Sequence, residues 1–434
     1  MNYQEACQFM QAAAKRGSRP GLQTITRLCA LLGNPQEKLN VIHVAGTNGK
    51  GSTCRMLAEI SRQAGYKTGL FVSPYFENYE SSFFIDGNPM PKADFTAVVG
   101  KAAKQAQIMT QEGLPPTEFE ILTACAFLWF LAQGCSFAVL ETGMGGSLDS
   151  TNVITAPLAS VITAIGLDHT AFLGETIGEI ASHKSGVIKQ NSIVVCYPDQ
   201  PQEALSVIRA AAAYKNCLFI QPDTKYDIVK SSLWGTEFKY KGTGYETAMP
   251  GIHQVLNATV AIETARALTA HTAFQFPQKT VVSGLANAVM PARQELINES
   301  PLILLDGSHN LQGIEALAAS IQTHLPEKRI ILVMGMLRDK QYEASIGCMA
   351  KLCSKFISTL PDNPRALDPH EAARVASSHC GDVLAFPNPA WALDEALRSY
   401  REGGAIVICG SLYLAAKIRP LLQEKNLIVK PGRL

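Results

Sequence analysis

The chain carries almost no net charge: 38 lysines and arginines stand against 37 aspartates and glutamates, leaving +1 at pH 7. No global field favours nucleic acid or an anionic membrane, so an anionic substrate must be met by local groups. Cys-x-x-Cys spacing is also missing. The eleven cysteines are odd in number and scattered, most of them in apolar surroundings such as those of Cys125, Cys196 and Cys409. This excludes a disulfide framework or a zinc site and fits reduced core residues of a cytosolic protein. The start, Met1 to Met10, has neither the basic end nor the apolar run of a signal peptide and reads as a short amphipathic helix. Internal repeats and low-complexity tracts are lacking. One uncharged stretch, Ile121 to Leu140, is long enough to cross a bilayer. Gln133-Gly134 divides it into a helix (118–131) and a strand (136–141), lengths normal for a buried α/β core.

What is present is an alternation of strands and helices. Strands are expected near 40–45, 68–73, 136–141, 158–165 and 193–197, with helices near 52–64, 91–111, 118–131 and 201–214. Such alternation predicts a mostly parallel sheet covered on both faces. Between Tyr226 and Met249 short polar-apolar alternations with glycine turns predict a small antiparallel patch, and helices resume over 254–270 and 279–290. Polar residues and prolines cluster from Pro291 to Pro301, as in a linker. A second series follows, with strands Leu302–Asp306, Arg329–Gly335, Lys355–Leu360, Asp382–Phe386 and Ala405–Gly410. A chain of 434 residues is too long for one ordinary core. The expected fold is therefore α/β in two domains: a large, P-loop-type, mostly parallel sheet domain over 1–292 and a smaller Rossmann-like domain over 293–434.

The most informative stretch is Asn40 to Thr53, a buried strand entering a glycine-rich turn with a lysine, then hydroxyl residues opening a helix. Gly46, Gly49 and Gly51 remove side chains where backbone N–H groups close around an anion, and Lys50 adds a point charge for the outer phosphates. Asn48 to Thr53 thus form a candidate nucleotide cradle, with Ser52 and Thr53 placed for a nucleotide-bound Mg²⁺. The usual P-loop has its hydroxyl residue directly after the lysine, whereas here Gly51 intervenes. By contrast, Phe137 to Leu148 is a poor dinucleotide fingerprint because Leu148 stands where the third glycine belongs.

Hard ligands for Mg²⁺ are expected at the strand ends beside that loop. Ser73 ends one strand, Glu141 ends another, and His169 follows Ile165-Gly-Leu-Asp. Taken singly, each also fits a cap, a turn or a structural histidine.

The form Ala45-Gly-Thr-Asn-Gly-Lys-Gly-Ser-Thr53 resembles the loop of ATP-dependent amide ligases of the Mur ligase superfamily, especially the folylpolyglutamate synthase/dihydrofolate synthase family. The resemblance spans nearly the whole chain. It is carried also by Leu31-Leu-Gly-Asn-Pro-Gln36, Ser73-Pro74, Pro116-Thr-Glu-Phe-Glu120, Glu141-Thr-Gly-Met-Gly-Gly146, Leu148-Asp-Ser-Thr-Asn152, Gly166-Leu-Asp-His-Thr170 and Lys184-Ser-Gly-Val-Ile-Lys189. Further matches are His253-Gln-Val-Leu-Asn-Ala258, Pro291-Ala-Arg293, Asp306-Gly-Ser-His-Asn310, Asn363-Pro-Arg-Ala-Leu367 and Cys409-Gly-Ser-Leu-Tyr413.

The resemblance implies that Ser73, Glu141 and His169 hold Mg²⁺, that Asn257, Arg293 and Asp306 contact ATP, and that His309 lies near the γ-phosphate. Asp306 could otherwise cap the helix that follows, and Arg293 could be a solvated linker residue. Lys184 matches a lysine that reacts with CO₂ to form a carbamate; the alternative is a surface lysine. ATP and Mg²⁺ are the implied cofactors, and nucleotide is expected between the domains. The implied reaction phosphorylates a carboxylate and lets L-glutamate attack the acyl phosphate. The implied acceptor is dihydropteroate or a folate, and Pro116 to Glu120 and Gly21 to Arg27 are candidates for its pterin side. Family analogy implies a cytoplasmic monomer.

Several positions depart from the family pattern. Tyr75 replaces a histidine, Ser81 and Ser82 a Glu-Arg pair, Ser147 an arginine and His183 a glutamate. These changes touch acceptor recognition more than nucleotide binding. They leave room for a ligase of the same fold acting on a non-folate acid, or for a nucleotide-binding relative without ligase chemistry.

Overall fold

A computed structural model describes residues 1–428, which form two compact units. The first comprises 1–227 with 239–246 and 255–288; the second comprises 228–238, 247–254 and the chain from Val289 onward. Among the described residues seventeen strands run in chain order. The first eight are β1 (Val41–Ala45), β2 (Thr68–Phe71), β3 (Phe83–Ile85), β4 (Asn88–Pro89), β5 (Phe137–Glu141), β6 (Ala159–Ile162), β7 (Ile193–Cys196) and β8 (Leu218–Ile220). They make one sheet in the order β4-β3-β2-β5-β1-β6-β7-β8. Every pairing from β2 to β8 is parallel, and β3 and β4 add an antiparallel edge that the sequence pattern does not reveal.

β1, β5, β6 and β7 are buried along their whole length, which explains why they read as apolar runs without alternation. The uncharged stretch resolves into the helix Glu118–Ala132 and β5, as expected from Gln133-Gly134. Thr117 and Glu120 close a capping box at the start of that helix, and its eight buried apolar residues pack into the core shared with the helices Tyr3–Ala14 and Lys92–Gln111. Among the described residues no helix is long and apolar enough to cross a membrane, and all eleven cysteines are free.

A small sheet of β9 (Tyr226–Ser232), β10 (Gly235–Tyr240) and β11 (Thr243–Thr247) occupies the segment expected to change pattern. The second unit carries β12 (Glu295–Glu299), β13 (Leu302–Leu305), β14 (Ile330–Met334), β15 (Lys355–Thr359), β16 (Val383–Phe386) and β17 (Ala405–Cys409), ordered β12-β13-β17-β14-β15-β16. The pairings from β13 to β16 are parallel, as the second βα series predicts. The segment read as a linker from Pro291 to Pro301 is corrected here: its middle is β12, paired antiparallel with β13 through a register shift between Leu296 and Asn298. A short edge strand with polar ends has the composition of a loop, and only its partner makes it a strand.

Candidate active site

In a parallel sheet neighbouring strands deliver their carboxyl ends to one rim. β1 pairs with β5 and β6, and β5 with β2, so the phosphate-loop candidate, Glu141, Thr163 and Ser73 leave the sheet at the same edge. The helix after β1 runs from Lys50 to Gln63, two residues earlier than expected, with Gly49 as a left-handed N-cap at φ +84°. The first turn of a helix leaves N–H groups without intrahelical acceptors, which suits an anion.

The loop is pinned from both sides. Thr47 and Asn48 donate their N–H groups to the Ala164 carbonyl at 2.8 and 3.1 Å, and Thr47 Oγ1 donates to the Gly166 carbonyl at 3.0 Å. Two close approaches require glycine: a Cβ on Gly46 would lie 1.8 Å from Thr163 Oγ1, and one on Gly49 would lie 2.4 Å from Asn257 Oδ1. Asn257, buried on the helix Ile252–His271, therefore lies directly against the loop.

Lys50 Nζ donates to the carbonyls of Gly46 and Thr47, each at 3.2 Å. Lys184, at the end of the helix Ile177–Ser185, donates to the same Gly46 carbonyl at 2.6 Å. It is 3% exposed, which rules out the surface-lysine alternative. Burial, then the Lys50 charge, push its ammonium down to about 7, against smaller opposite effects from Asp168 and Asp149.

Of the expected metal ligands, the structure joins two. Ser73 N donates to Glu141 Oε2 at 3.2 Å, and Glu141 is buried. His169 sits at φ +51°, with its N–H on Asp168 Oδ1 at 2.8 Å and its ring Nε2 3.9 Å from Asp168 Oδ2. Among the described residues no group of three or more His, Cys, Asp or Glu is placed to hold a metal ion. The hydroxyls of Ser73 and Thr53 are buried without a hydrogen-bond partner. Buried hydroxyls are normally satisfied, so these two are available to a ligand. The Ser73 backbone lies on the Glu141 carboxylate, and hydroxyl and carboxylate oxygens are the donors a hard cation prefers.

Sequence motifs also mark residues that position this rim. The buried Asp149 carboxylate accepts from Met144 N at 2.8 Å and from Thr151 N and Oγ1 at 3.0 and 2.6 Å. Burial pushes its pKa up and these donors pull it down. His43 Nε2 meets Thr151 Oγ1 at 2.7 Å, and burial holds that imidazole at about 3, hence neutral. The departures from the family pattern are absorbed locally. Ser147 Oγ pairs with His183 Nδ1 at 3.3 Å. Ser81 Oγ accepts from Phe76 N at 2.9 Å and donates to Asn78 O at 2.6 Å, and Tyr75 packs on Tyr79 with ring centres 4.9 Å apart.

In the second unit Asp306 follows β13, buried, and accepts from Gln294 N at 2.8 Å and Ser308 N at 2.7 Å. It is not the helix cap. Asn310 fills that role for the helix Leu311–His324, accepting from Gly313 N at 2.9 Å. Arg293 lies half-buried between Ala292 and Gln294, both at positive φ, which is uncommon for residues with a Cβ. His309 Nδ1 meets the Gly307 carbonyl at 3.1 Å. His253 opens the motif His253-Gln-Val-Leu-Asn-Ala258, in which only Asn257 is expected to meet nucleotide. His253 is half-buried near Asp306 and Arg293, and its pKa is lowered chiefly by desolvation and also by Arg293, against an opposite effect of Asp306.

Residues 44–265 match the Mur ligase middle domain, and residues 292–412 match the Mur ligase glutamate ligase domain. The dihydrofolate synthase/folylpolyglutamate synthase of Bacillus subtilis (strain 168) is 36% identical over 438 residues, covering 97% of this chain and 99% of the relative. The folylpolyglutamate synthase of Lacticaseibacillus casei is 34% identical, covering 97% of this chain and 99% of its own. Among solved structures, Mycobacterium tuberculosis folylpolyglutamate synthase complexed with ADP and AMPPCP superposes with a TM-score of 0.88 at 27% identity, covering 99% of this chain and all of that one.

Proposed function

Because the chain belongs to the folylpolyglutamate synthase/dihydrofolate synthase family of Mur ligases, we propose that it uses ATP to join L-glutamate to the carboxylate of dihydropteroate or of a folate. The observation that carries this reading is the glycine loop with two lysines on one carbonyl: Gly46 and Gly49 admit no side chain, and Lys50 and Lys184 converge on Gly46 O.

The acceptor carboxylate attacks the γ-phosphate, and the Lys50 ammonium, released from its loop carbonyls, offsets the repulsion between two anions. The amine of L-glutamate then attacks the resulting acyl phosphate, and phosphate leaves as the amide forms. Asn48 to Thr53 hold the phosphates. Asn257, Arg293 and Asp306 are the proposed remaining nucleotide contacts, with His309 near the transferred group. Ser73, Glu141 and His169 would hold Mg²⁺, which when bound supplies charge neutralisation on the phosphates. The unpartnered hydroxyls of Ser73 and Thr53 support that assignment. The depressed pKa of Lys184 supports a neutral amine able to add to CO₂, forming an N–C bond and releasing a proton. The protein acts as a cytoplasmic monomer on small-molecule substrates, without nucleic acid or membrane.

The test is phosphate release with ATP and Mg²⁺, with and without L-glutamate, comparing dihydropteroate with tetrahydrofolate and weighing the products for one added glutamate. Turnover with dihydropteroate establishes the synthase step, and turnover with tetrahydrofolate alone establishes tail extension. Silence on both, with ATP still bound, overturns the folate reading.

A further inference from the structure

The helix end that carries Lys184 is held by a second segment, Gly146 to Asn152, through contacts on both sides of the lysine. On the near side Ser147 N donates to the His183 carbonyl at 2.8 Å. On the far side Asn152 Nδ2 donates to the Gly186 carbonyl at 3.2 Å and, with the same nitrogen, to the Ser147 carbonyl at 3.0 Å. The two backbones touch without side chains between them: a Cβ on Gly146 would lie 2.6 Å from the Lys184 carbonyl, and one on Gly186 would lie 2.4 Å from Ser147 Cα.

Asn152 is 5% exposed, and its Oδ1 is buried without a partner, so the amide acts here as a donor alone. The same turn also fixes the backbone after Glu141, because Asp149 accepts from Met144 N.

We propose that Asn152 is a positioning residue for Lys184: its amide clamps the Ser147 turn onto the helix end and thereby sets the Lys184 amine on the Gly46 carbonyl of the phosphate loop. This deepens the reading above, because it takes Lys184 as part of the nucleotide site. An ionised aspartate at 152 has the shape of asparagine but no donor, and it turns a carboxylate oxygen toward two carbonyls. Serine keeps one shorter donor.

The experiment follows the full-length protein and its Asn152→Asp and Asn152→Ser variants through limited acetylation, with rates read lysine by lysine by mass spectrometry. Lys355, largely buried and paired with Asp382 and Glu395, serves as the internal reference. Asn152→Asp should raise the Lys184 rate about tenfold or more while leaving Lys355 within about twofold, and Asn152→Ser should fall between it and the parent. ATP-dependent glutamate addition should drop in the same order. An unchanged Lys184 rate overturns the proposal. So does a general rise at every buried lysine, or failure of both variants to fold, since either shows a plain structural role. If the parent protein ligates no glutamate, the functional reading fails, yet the Lys184 rates still decide the positioning.

Discussion

Lys50 and Lys184 donate to one acceptor, the carbonyl oxygen of Gly46, at 3.2 and 2.6 Å. Burial first, and then the neighbouring Lys50 charge, hold the Lys184 ammonium down at about 7. The arrangement concentrates positive charge at the loop without placing two permanent cations there.

Replacing Lys50 by alanine removes the cation next to the phosphates. ATP-dependent phosphate release should fall about a hundredfold or more, while the melting temperature stays within a few degrees. Normal release by a folded Lys50→Ala protein would rule out the cradle.

Gly49→Ala places a Cβ at a left-handed residue, which costs about 1–2 kcal/mol, and within 2.4 Å of the buried Asn257 carboxamide, which must shift to admit it. Urea denaturation should show the loss of stability, and calorimetry should show weakened ATP binding. A variant with parental stability and affinity would mean the loop is not held as described.

The Lys184 shift has a definite sign. Between about 7 and the ordinary lysine value of 10.5 the unfolded chain holds a proton that the folded chain lacks, so this group makes stability rise with pH in that window. Below it the full cost of the buried charge is present. Lys184→Met removes the titration, so the variant's stability relative to the parent should be greatest at about pH 6 and shrink towards about pH 9, as read from urea midpoints. A gap independent of pH would contradict the buried, depressed amine.

Ser73→Ala deletes a buried hydroxyl that has no partner in the protein. Because an unsatisfied group contributes no stability, the melting temperature should hold or rise slightly. The Mg²⁺ concentration needed for half-maximal phosphate release should increase severalfold. An unchanged Mg²⁺ requirement would remove Ser73 from the proposed metal set.

By itself the sequence determined whatever depends on local pattern. Apolar runs buried on both faces marked β1, β5, β6 and β7, the break at Gln133-Gly134 separated a helix from a strand, and glycine spacing around Lys50 marked the phosphate loop. Tertiary structure decided what depends on a distant partner. β12 is a strand only because β13 lies beside it, and Asp306 yields the cap position to Asn310 because its carboxylate is taken by Gln294 and Ser308. Likewise Lys184 has the composition of a surface residue until Gly46, across 138 positions of chain, fixes it in the interior. Burial and hydrogen bonding are properties of neighbours in space, and neither periodicity nor residue type along the chain encodes which neighbours those are.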